Sequence, residues 1–435
     1  MNYRVKGGKT LSGEVTTNVS KNAAVVLLAA SLLNKGKTTL KHMPHIEEVN
    51  RLIEVLRSIG VSVEWNEGDV VIIPPATLDV AHVDRVAAEK TRSIALFIAP
   101  LAHLFSAFDL PAPQGCHLGK RSLGAHVDAL ERLGIHLTGS EDTHSYHVDV
   151  KDKKPREIIM YEASDTGVEN VLMAAAKIPG LTTIKFASAN YMVQDLCFFL
   201  ERCGVRIEGI GTSTLIVHGV EEINADIICF PSEDPIESMF FLSLAATTNS
   251  EITVRRCPID FLELELATLW SMGVRHTRSE VFLAENGKTR LIDITVKKTD
   301  ALNAPPEKIA PRPYPGINID NLPFFVPVAT QAKGKTLIHD WVYEGRAQYY
   351  MLMNEFGAKL TQLDPHRIEI EGPTRLHAVH MEAPPALRPA TILLIGMLAA
   401  EGESMLDNVY PINRGYERLH ERLKALGADI EAIDA

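Results

Sequence analysis

The sequence predicts an α/β fold made of six copies of one helix–strand–helix–strand unit, and two recurring patterns carry that expectation. An amphipathic stretch that closes in glycine and continues as an extended segment occurs at Ile59-Gly60-Val61, Leu133-Gly134-Ile135, Cys203-Gly204-Val205, Met272-Gly273-Val274, Phe356-Gly357-Ala358 and Leu426-Gly427-Ala428. Its glycines recur roughly every 70 residues, which is the signature of a repeat architecture. Upstream of most copies, an Ala/Leu-rich helix ends in a short turn and a strand, at residues 34–38, 178–182, 248–250, 332–336 and 400–403. Six such units over 435 residues divide naturally into two globules of three.

Taken in chain order, the first element to settle is the apolar run from Ala23 to Leu33. Arg4, Lys6 and Lys9 precede it, as in a secretory signal, but Glu14 and a Gly- and Thr-rich stretch intervene. The run is too short to span a bilayer, so a buried core helix is expected. Next, Ile46, Val49, Leu52, Ile53, Leu56 and Ile59 follow helical spacing, with Glu47, Glu48, Arg51, Glu54 and Arg57 opposite. That is an amphipathic helix. Gly60 suits a left-handed cap after it, and Val61, Val63 and residues 70–73 suggest strands. Two Lys-Gly-Lys-Thr segments, at 35–38 and 333–336, imitate a phosphate-binding loop. The first glycine of that motif would fall at Ser31 and Ala329, so both are read as helix-to-strand turns. The Pro-rich segment 303–315 is the loosest stretch.

Composition limits the function classes. Hydrophobic residues make up 46% and charged residues 23%, which is globular composition. Forty-four Lys plus Arg against 55 Asp plus Glu leave a formal charge of −11, with no basic block, which argues against nucleic-acid binding. An acidic chain that binds an anion needs a local cationic pocket. The five cysteines are sparse, odd in number and without a CxxC pair, so a reduced, cytoplasmic protein is expected, with neither a disulfide nor a metal framework. No other apolar run approaches membrane-spanning length, so a soluble protein without membrane association is expected.

The most reactive-looking segment is Leu110-Pro111-Ala112-Pro113-Gln114-Gly115-Cys116-His117-Leu118-Gly119-Lys120-Arg121. Its prolines and glycines predict a loop, and positive neighbours lower a thiol pKa, making Cys116 the candidate nucleophile or acid. Cys197, Cys203, Cys229 and Cys257 sit in apolar surroundings and are expected in the core.

This loop stands in a series of segments: Gly7-Gly8, Leu11-Ser12-Gly13-Glu14-Val15, Ser20-Lys21-Asn22-Ala23, Arg92-Ser93-Ile94, Ala99-Pro100-Leu101, Glu169-Asn170, Met173-Ala174-Ala175, residues 316–320, Tyr343-Glu344-Gly345-Arg346, Leu387-Arg388 and Arg414-Gly415-Tyr416-Glu417-Arg418. In this order and over nearly the whole chain, they resemble the enolpyruvyl transferase family. The resemblance implies two pseudo-symmetric domains, each an inside-out α/β barrel of three repeats. One would comprise 1–20 with 231–435, and the other 21–230, carrying the Cys116 loop. It also implies transfer of the enolpyruvyl group of phosphoenolpyruvate to a sugar hydroxyl with release of phosphate, and no cofactor. UDP-N-acetylglucosamine is the acceptor in the branch that the loop cysteine indicates, the branch that feeds peptidoglycan synthesis and whose loop thiol fosfomycin alkylates. Another nucleotide or sugar hydroxyl, or a silent nucleotide-sugar-binding relative, are the alternatives.

By position, Lys21, Arg92, Arg121 and Arg414 match the family's phosphate-side cations, and Arg346 and Arg388 its carboxylate side. Arginine forks suit both anionic groups. Asp320 matches the acceptor-contacting carboxylate and is the candidate base. Cys116 matches the thiol that protonates C3, and Asn22 would flank positive charge developing at C2. Glu48, Ser164, Asp165 and Thr166 complete the substrate-binding set. The acceptor side departs from the family pattern: Glu162-Ala163-Ser164-Asp165-Thr166 lacks the usual lysine, Gly124 replaces an aspartate, and Ala189-Asn190-Tyr191-Met192 replaces Arg-Glu-Pro-Glu. Residues 231–237 are longer than the usual Pro-Asp-Arg-Ile-Glu and lack its arginine, Glu48 stands for an Asp, and Ala386 lacks an acid.

Overall fold

The computed structural model describes residues 1–112, 123–140 and 144–434. The chain forms two compact units, one from Met1–Asn18 together with the residues from Glu233 onward, the other from the described residues between Val19 and Ser232. Local bonding explains why the crossings fall at 18/19 and 232/233 instead of 20/21 and 230/231. Ser20 caps the helix Lys21–Ala30, and its N–H donates to the Ser232 carbonyl at 2.8 Å, which keeps both residues with the second unit. Asn18 accepts the Asp234 N–H and donates to Glu237, both at 2.8 Å, which keeps it with the first.

Each unit contains three sheets among the described residues. In the first unit a parallel pair, Ser12–Thr16 with Glu251–Pro258, extends through antiparallel pairing to Arg290–Val296 and His276–Arg278. The same order of one parallel and two antiparallel pairings builds Leu302–Asn303, Ala332–His339, Arg367–Gly372 and Lys359–Gln362. It also builds His380–Glu382, Gly402–Asp407, Asn2–Gly7 and Asp429–Ile433. In the second unit it recurs in Ile227–Cys229, Thr38–Leu40, Asp69–Ile73 and Ser62–Asn66, and in Glu157–Ile159, Gly180–Lys185, Thr214–Gly219 and Arg206–Glu208. The third sheet there holds Ala107–Pro111, Ser145–Val150 and Ile135–Ser140, all antiparallel.

Inside the sheets sit helices that are apolar on every side. In the first unit Pro235–Thr247, Phe325–Gln331 and Leu387–Ala399 pack on one another, and almost every residue is buried. A helix without a polar face has no stable place except a core. Phe240 is its aromatic centre, with ring centroids 5.0 Å from Phe241, 6.0 Å from Phe324 and 5.4 Å from Tyr416. The Ser243 hydroxyl in this core donates to the Phe324 carbonyl at 2.6 Å, so its burial costs no lost hydrogen bond. In the second unit, Asp165–Ala176 and Lys21–Ala30 both pack on the run formed by Arg92–Phe97 and Ile98–Leu101. The run Ala23 to Leu33 is thus buried core, as its composition predicts.

Amphipathic helices close each repeat, and the six capping glycines all adopt left-handed φ, from +83° at Gly357 to +97° at Gly60. A second glycine device recurs three times, where Gly7 pairs with Gly402, Gly219 with Gly180 and Gly372 with Gly334. One partner turns the chain at positive φ (+106°, +121° and +107° at Gly402, Gly180 and Gly334). The other lies against carbonyls at or just beyond the end of a buried helix, where a Cβ on Gly219 would stand 2.4 Å from the Ala175 oxygen and 2.1 Å from the Ile178 oxygen.

Some local expectations are corrected. Residues 332–336 are strand from the first, because Ala332–His339 follows Phe325–Gln331 directly and Gly334 does the turning. Leu110 and Pro111 end a strand instead of opening the loop. The fifth amphipathic helix is largely 3-10, Met351–Phe356. Lys35 and Lys335 pair with Glu222 at 2.8 Å and Glu369 at 2.7 Å, as connector lysines do. Cys197, Cys203, Cys229 and Cys257 carry buried free thiols, and burial pushes Cys203, Cys229 and Cys257 up to about 12. Among the described residues no helix is long and apolar enough to cross a membrane.

Candidate active site

In the first unit the fold brings three of the expected residues together. Asp320 lies on the loop before Leu322–Phe324, held in an Asx turn in which its N–H donates to Asn318 Oδ1 at 2.8 Å. Glu265 fastens that loop from the neighbouring helix Glu263–Ser271, accepting the Asn318 N–H and the Asn321 Nδ2–H, both at 2.9 Å. Arg388, second residue of Leu387–Ala399, donates from Nη2 to Asp320 Oδ2 at 3.4 Å and from Nη1 to the Tyr416 hydroxyl at 3.0 Å. Arg346 opens the short helix Arg346–Tyr350 and brings Nη1 within 3.7 Å of Asp320 Oδ1.

Arg346 is 0% exposed, and most of its fork is spent on the fold. Nε and Nη2 donate to the two Asp340 oxygens at 2.5 and 2.9 Å, and Nη2 also to the Ile319 carbonyl at 2.8 Å. Burial opposes its charge, but Tyr350, Asp340 and Asp320 outweigh burial and hold its pKa above the ordinary arginine value. Nη1 is buried without a hydrogen bond. Asp234, the N-cap of Pro235–Thr247, lies near Arg388; burial pushes its carboxyl up to about 6 against the pull of that arginine. Arg414 follows Tyr410–Asn413, two residues before Tyr416, and is half-buried.

In the second unit Lys21 and Asn22 are the first two residues of Lys21–Ala30, and the Asn22 carboxamide donates to the Tyr191 hydroxyl at 3.0 Å. Glu48 is buried and braces the segment that carries Arg92: it accepts from the Thr91 hydroxyl and, at 3.2 Å, from Ser93. Ser164 caps Asp165–Ala176 by accepting the Gly167 N–H at 3.2 Å. The Asp165 oxygens accept from Ser188 and, at 3.1 Å, from Asn190. Thr166 Oγ1 lies 3.1 Å from His126 Nε2, and Asn170 Nδ2 lies 3.0 Å from His126 Nδ1. An amide N–H facing Nδ1 makes that nitrogen the acceptor, so the ring carries its proton on Nε2. Burial first, and Arg92 second, lower His126 to about 4, so the ring is neutral at physiological pH. Glu169 is buried beneath, with Oε1 unpartnered; burial and then Asp165 raise its pKa well above the ordinary value, against a smaller opposing pull from Lys21.

Cys116 and Arg121 lie outside the described residues. Sequence reasoning did not single out Asp340, Tyr191, Asn190, His126 or Glu265. Their signal is weak, since all but Asp340, which lies six residues before Arg346, act through a partner distant in sequence. Tyr191 and Asn190 do fall where the family pattern breaks.

Comparisons with known proteins identify the family. Residues 5–423 match the EPSP synthase (3-phosphoshikimate 1-carboxyvinyltransferase) family. The chain is 31% identical over 437 residues to a UDP-N-acetylglucosamine 1-carboxyvinyltransferase of Bradyrhizobium diazoefficiens, covering 99% of this chain and 98% of that protein. It is 32% identical over 445 residues to its namesake in Bacteroides fragilis, covering 99% of each. Among solved structures, the enolpyruvyl transferase NikO of Streptomyces tendae superposes with a TM-score of 0.86 at 22% identity, over 100% of this chain and 99% of that one. EPSP synthase of Acinetobacter baumannii gives 0.75 at 18% identity, over 100% of both chains, and these two establish the fold. The chain therefore belongs to the EPSP synthase family, the enolpyruvyl transferases.

Proposed function

We propose that this protein transfers the enolpyruvyl group of phosphoenolpyruvate to the 3-hydroxyl of UDP-N-acetylglucosamine, releasing phosphate, as a cytoplasmic step in peptidoglycan precursor synthesis. The observation that carries the reading is the convergence of Arg388 and Arg346 on Asp320, at 3.4 and 3.7 Å. A carboxylate held by two guanidinium groups has a fixed place and orientation, and a positioned carboxylate can take the proton of an acceptor hydroxyl. The relatives, matched end to end, supply the substrates.

In the reaction, Lys21, Arg92, Arg121 and Arg414 bind the phosphate, and Arg346 Nη1 and Arg388 serve the carboxylate. Asp320 takes the hydroxyl proton as the acceptor oxygen bonds to C2, and Cys116 delivers a proton to C3. Positive charge developing at C2 faces the Asn22 carboxamide. The resulting tetrahedral ketal loses a proton from C3 and expels phosphate, which restores the C2–C3 double bond in the product enol ether. Glu48, through Thr91 and Ser93, sets the Arg92 segment, while Ser164, Asp165 and Thr166 serve the acceptor. Neither nucleic acid nor a membrane enters this scheme.

The test is phosphate release from phosphoenolpyruvate with UDP-N-acetylglucosamine, UMP or shikimate 3-phosphate as acceptor. Release with UDP-N-acetylglucosamine alone is expected. Release only with another acceptor would retain the chemistry and replace the substrate. Fosfomycin should inactivate the enzyme, and C116A should abolish covalent labelling, read by intact mass.

A further inference from the structure

We propose that Tyr191 is a positioning residue for enolpyruvyl transfer, fixing the Asn22 carboxamide, and that Asn190 and Asp165 hold Tyr191 in register. The inference rests on the reading of Asn22 as a group that serves the reaction. Asn22 is anchored at the backbone, because Ser20 caps its helix by accepting the Ala23 N–H at 3.3 Å. The torsion that turns the carboxamide is soft and nearly two-fold, so the backbone alone does not decide which end faces the substrate. Tyr191 holds one of the two orientations: the residue is 1% exposed, and its hydroxyl accepts an Asn22 Nδ2–H at 3.0 Å. With one amide N–H on the phenol, the carbonyl end is turned away from Tyr191. An oriented carbonyl dipole is what positive charge developing at C2 requires, and orientation before the reaction is what makes a dipole effective.

Tyr191 is itself fixed. It is the first residue of the helix Tyr191–Arg202, and the N-cap Asn190 accepts its N–H at 3.0 Å. The other end of the Asn190 amide donates to Asp165 Oδ2 at 3.1 Å, while Asp165 Oδ1 takes the Ser188 hydroxyl. Asp165 opens its own helix, where the dipole favours a negative charge. The two segments that depart from the family pattern, 162–166 and 189–192, are therefore bonded to each other, and the second reaches Asn22. The proline of the usual Arg-Glu-Pro-Glu run has no hydroxyl to offer at that position.

A double-mutant cycle tests this, since Y191F removes one oxygen and leaves the ring in its pocket. Y191F should lower kcat for phosphate release about three- to tenfold, the worth of one neutral hydrogen bond. In an N22A background, the same substitution should cost nothing further, because the group it positions is gone. Equal fractional losses in both backgrounds, or a Y191F enzyme at wild-type kcat, would overturn the proposal. A second readout is independent of turnover: in protein labelled with 15N-asparagine, solvent exchange of the Asn22 side-chain amide should accelerate about threefold or more in Y191F. Unchanged exchange would also overturn the proposal. A wild-type protein silent with every acceptor would overturn the functional reading instead, and the amide exchange would still decide the role of Tyr191.

Discussion

Arg346 supports the fold and faces Asp320 with the same side chain, and its substitutions should separate the two roles. Alanine would leave Asp340, buried at 0% exposure, without its cationic partner and with only the Tyr350 hydroxyl, at 2.6 Å, on its carboxylate. Breaking a buried pair from one side costs about 3–5 kcal/mol, so urea denaturation of R346A should show a loss of that size. Asp320 is only half-buried and answers to Arg346 and Arg388 through its charge. D320N should therefore unfold close to wild type, while kcat for phosphate release falls about 10²- to 10⁴-fold, the range for loss of a positioned base. The sequence makes Asp320, Arg346 and Arg388 visible because they sit in distinctive local motifs. Tyr191 stays hidden because its partner Asn22 is far away in sequence, and Asp340 because six residues of separation from Arg346 match neither helical nor strand spacing. Their importance comes from burial against Arg346 and Asn22, which only folding creates.

The repeated element was readable wherever its chemistry is local. Helical periodicity and a following glycine placed all six amphipathic segments, and each of those glycines does cap in the left-handed region. The parallel strand at the edge of five sheets was not readable, because strands such as Glu157–Ile159 and Leu302–Asn303 are short and gain their identity from a partner in another segment. The paired glycines were hidden for the same reason. They permit a test that separates steric contact from backbone strain. At Gly204, with φ +88° and nothing within 4 Å of a new Cβ, alanine should cost about 1–2 kcal/mol, the left-handed penalty alone. At Gly219 the Cβ would stand 2.1 Å from one backbone oxygen and 2.4 Å from another, and neither can move away cheaply. G219A should lose more than G204A, about 3 kcal/mol or beyond, when both are compared by denaturant unfolding.

At the scale of the molecule, buried titratable groups set the pH dependence of stability. Burial and the neighbouring Lys153 and Lys177 lower His103 to about 3, and burial with Arg92 lowers His126 to about 4. Both are neutral in the fold, whereas the unfolded chain protonates them near 6.5. Their contribution is complete above pH 6.5 and is lost as pH falls, through about 4 for His126 and about 3 for His103. The His126 share is about 3 kcal/mol, and H126Q should remove that share in urea melts between pH 7 and 4, leaving a comparable one from His103. Glu169 acts in the opposite sense. Its raised pKa favours the protonated fold, so its contribution is full below about 4.5 and declines as pH rises. E169Q should therefore gain stability relative to wild type as pH increases from 4.5. The repeats gave the division into two units only as a count and the resemblance placed its crossings within two residues, because the exact crossings depend on the Ser20–Ser232 and Asn18–Asp234 bonds. The path of the chain also sets an order of birth. Asn2–Gly7 lies between Gly402–Asp407 and Asp429–Ile433 in a single sheet, so this strand leaves the ribosome long before either of its partners is made. Among the described residues, the strands between Val19 and Ser232 pair only with one another. Nascent chains arrested shortly after residue 232 clears the exit tunnel should already resist protease within that stretch, while the opening strand remains open to cleavage or to a chaperone.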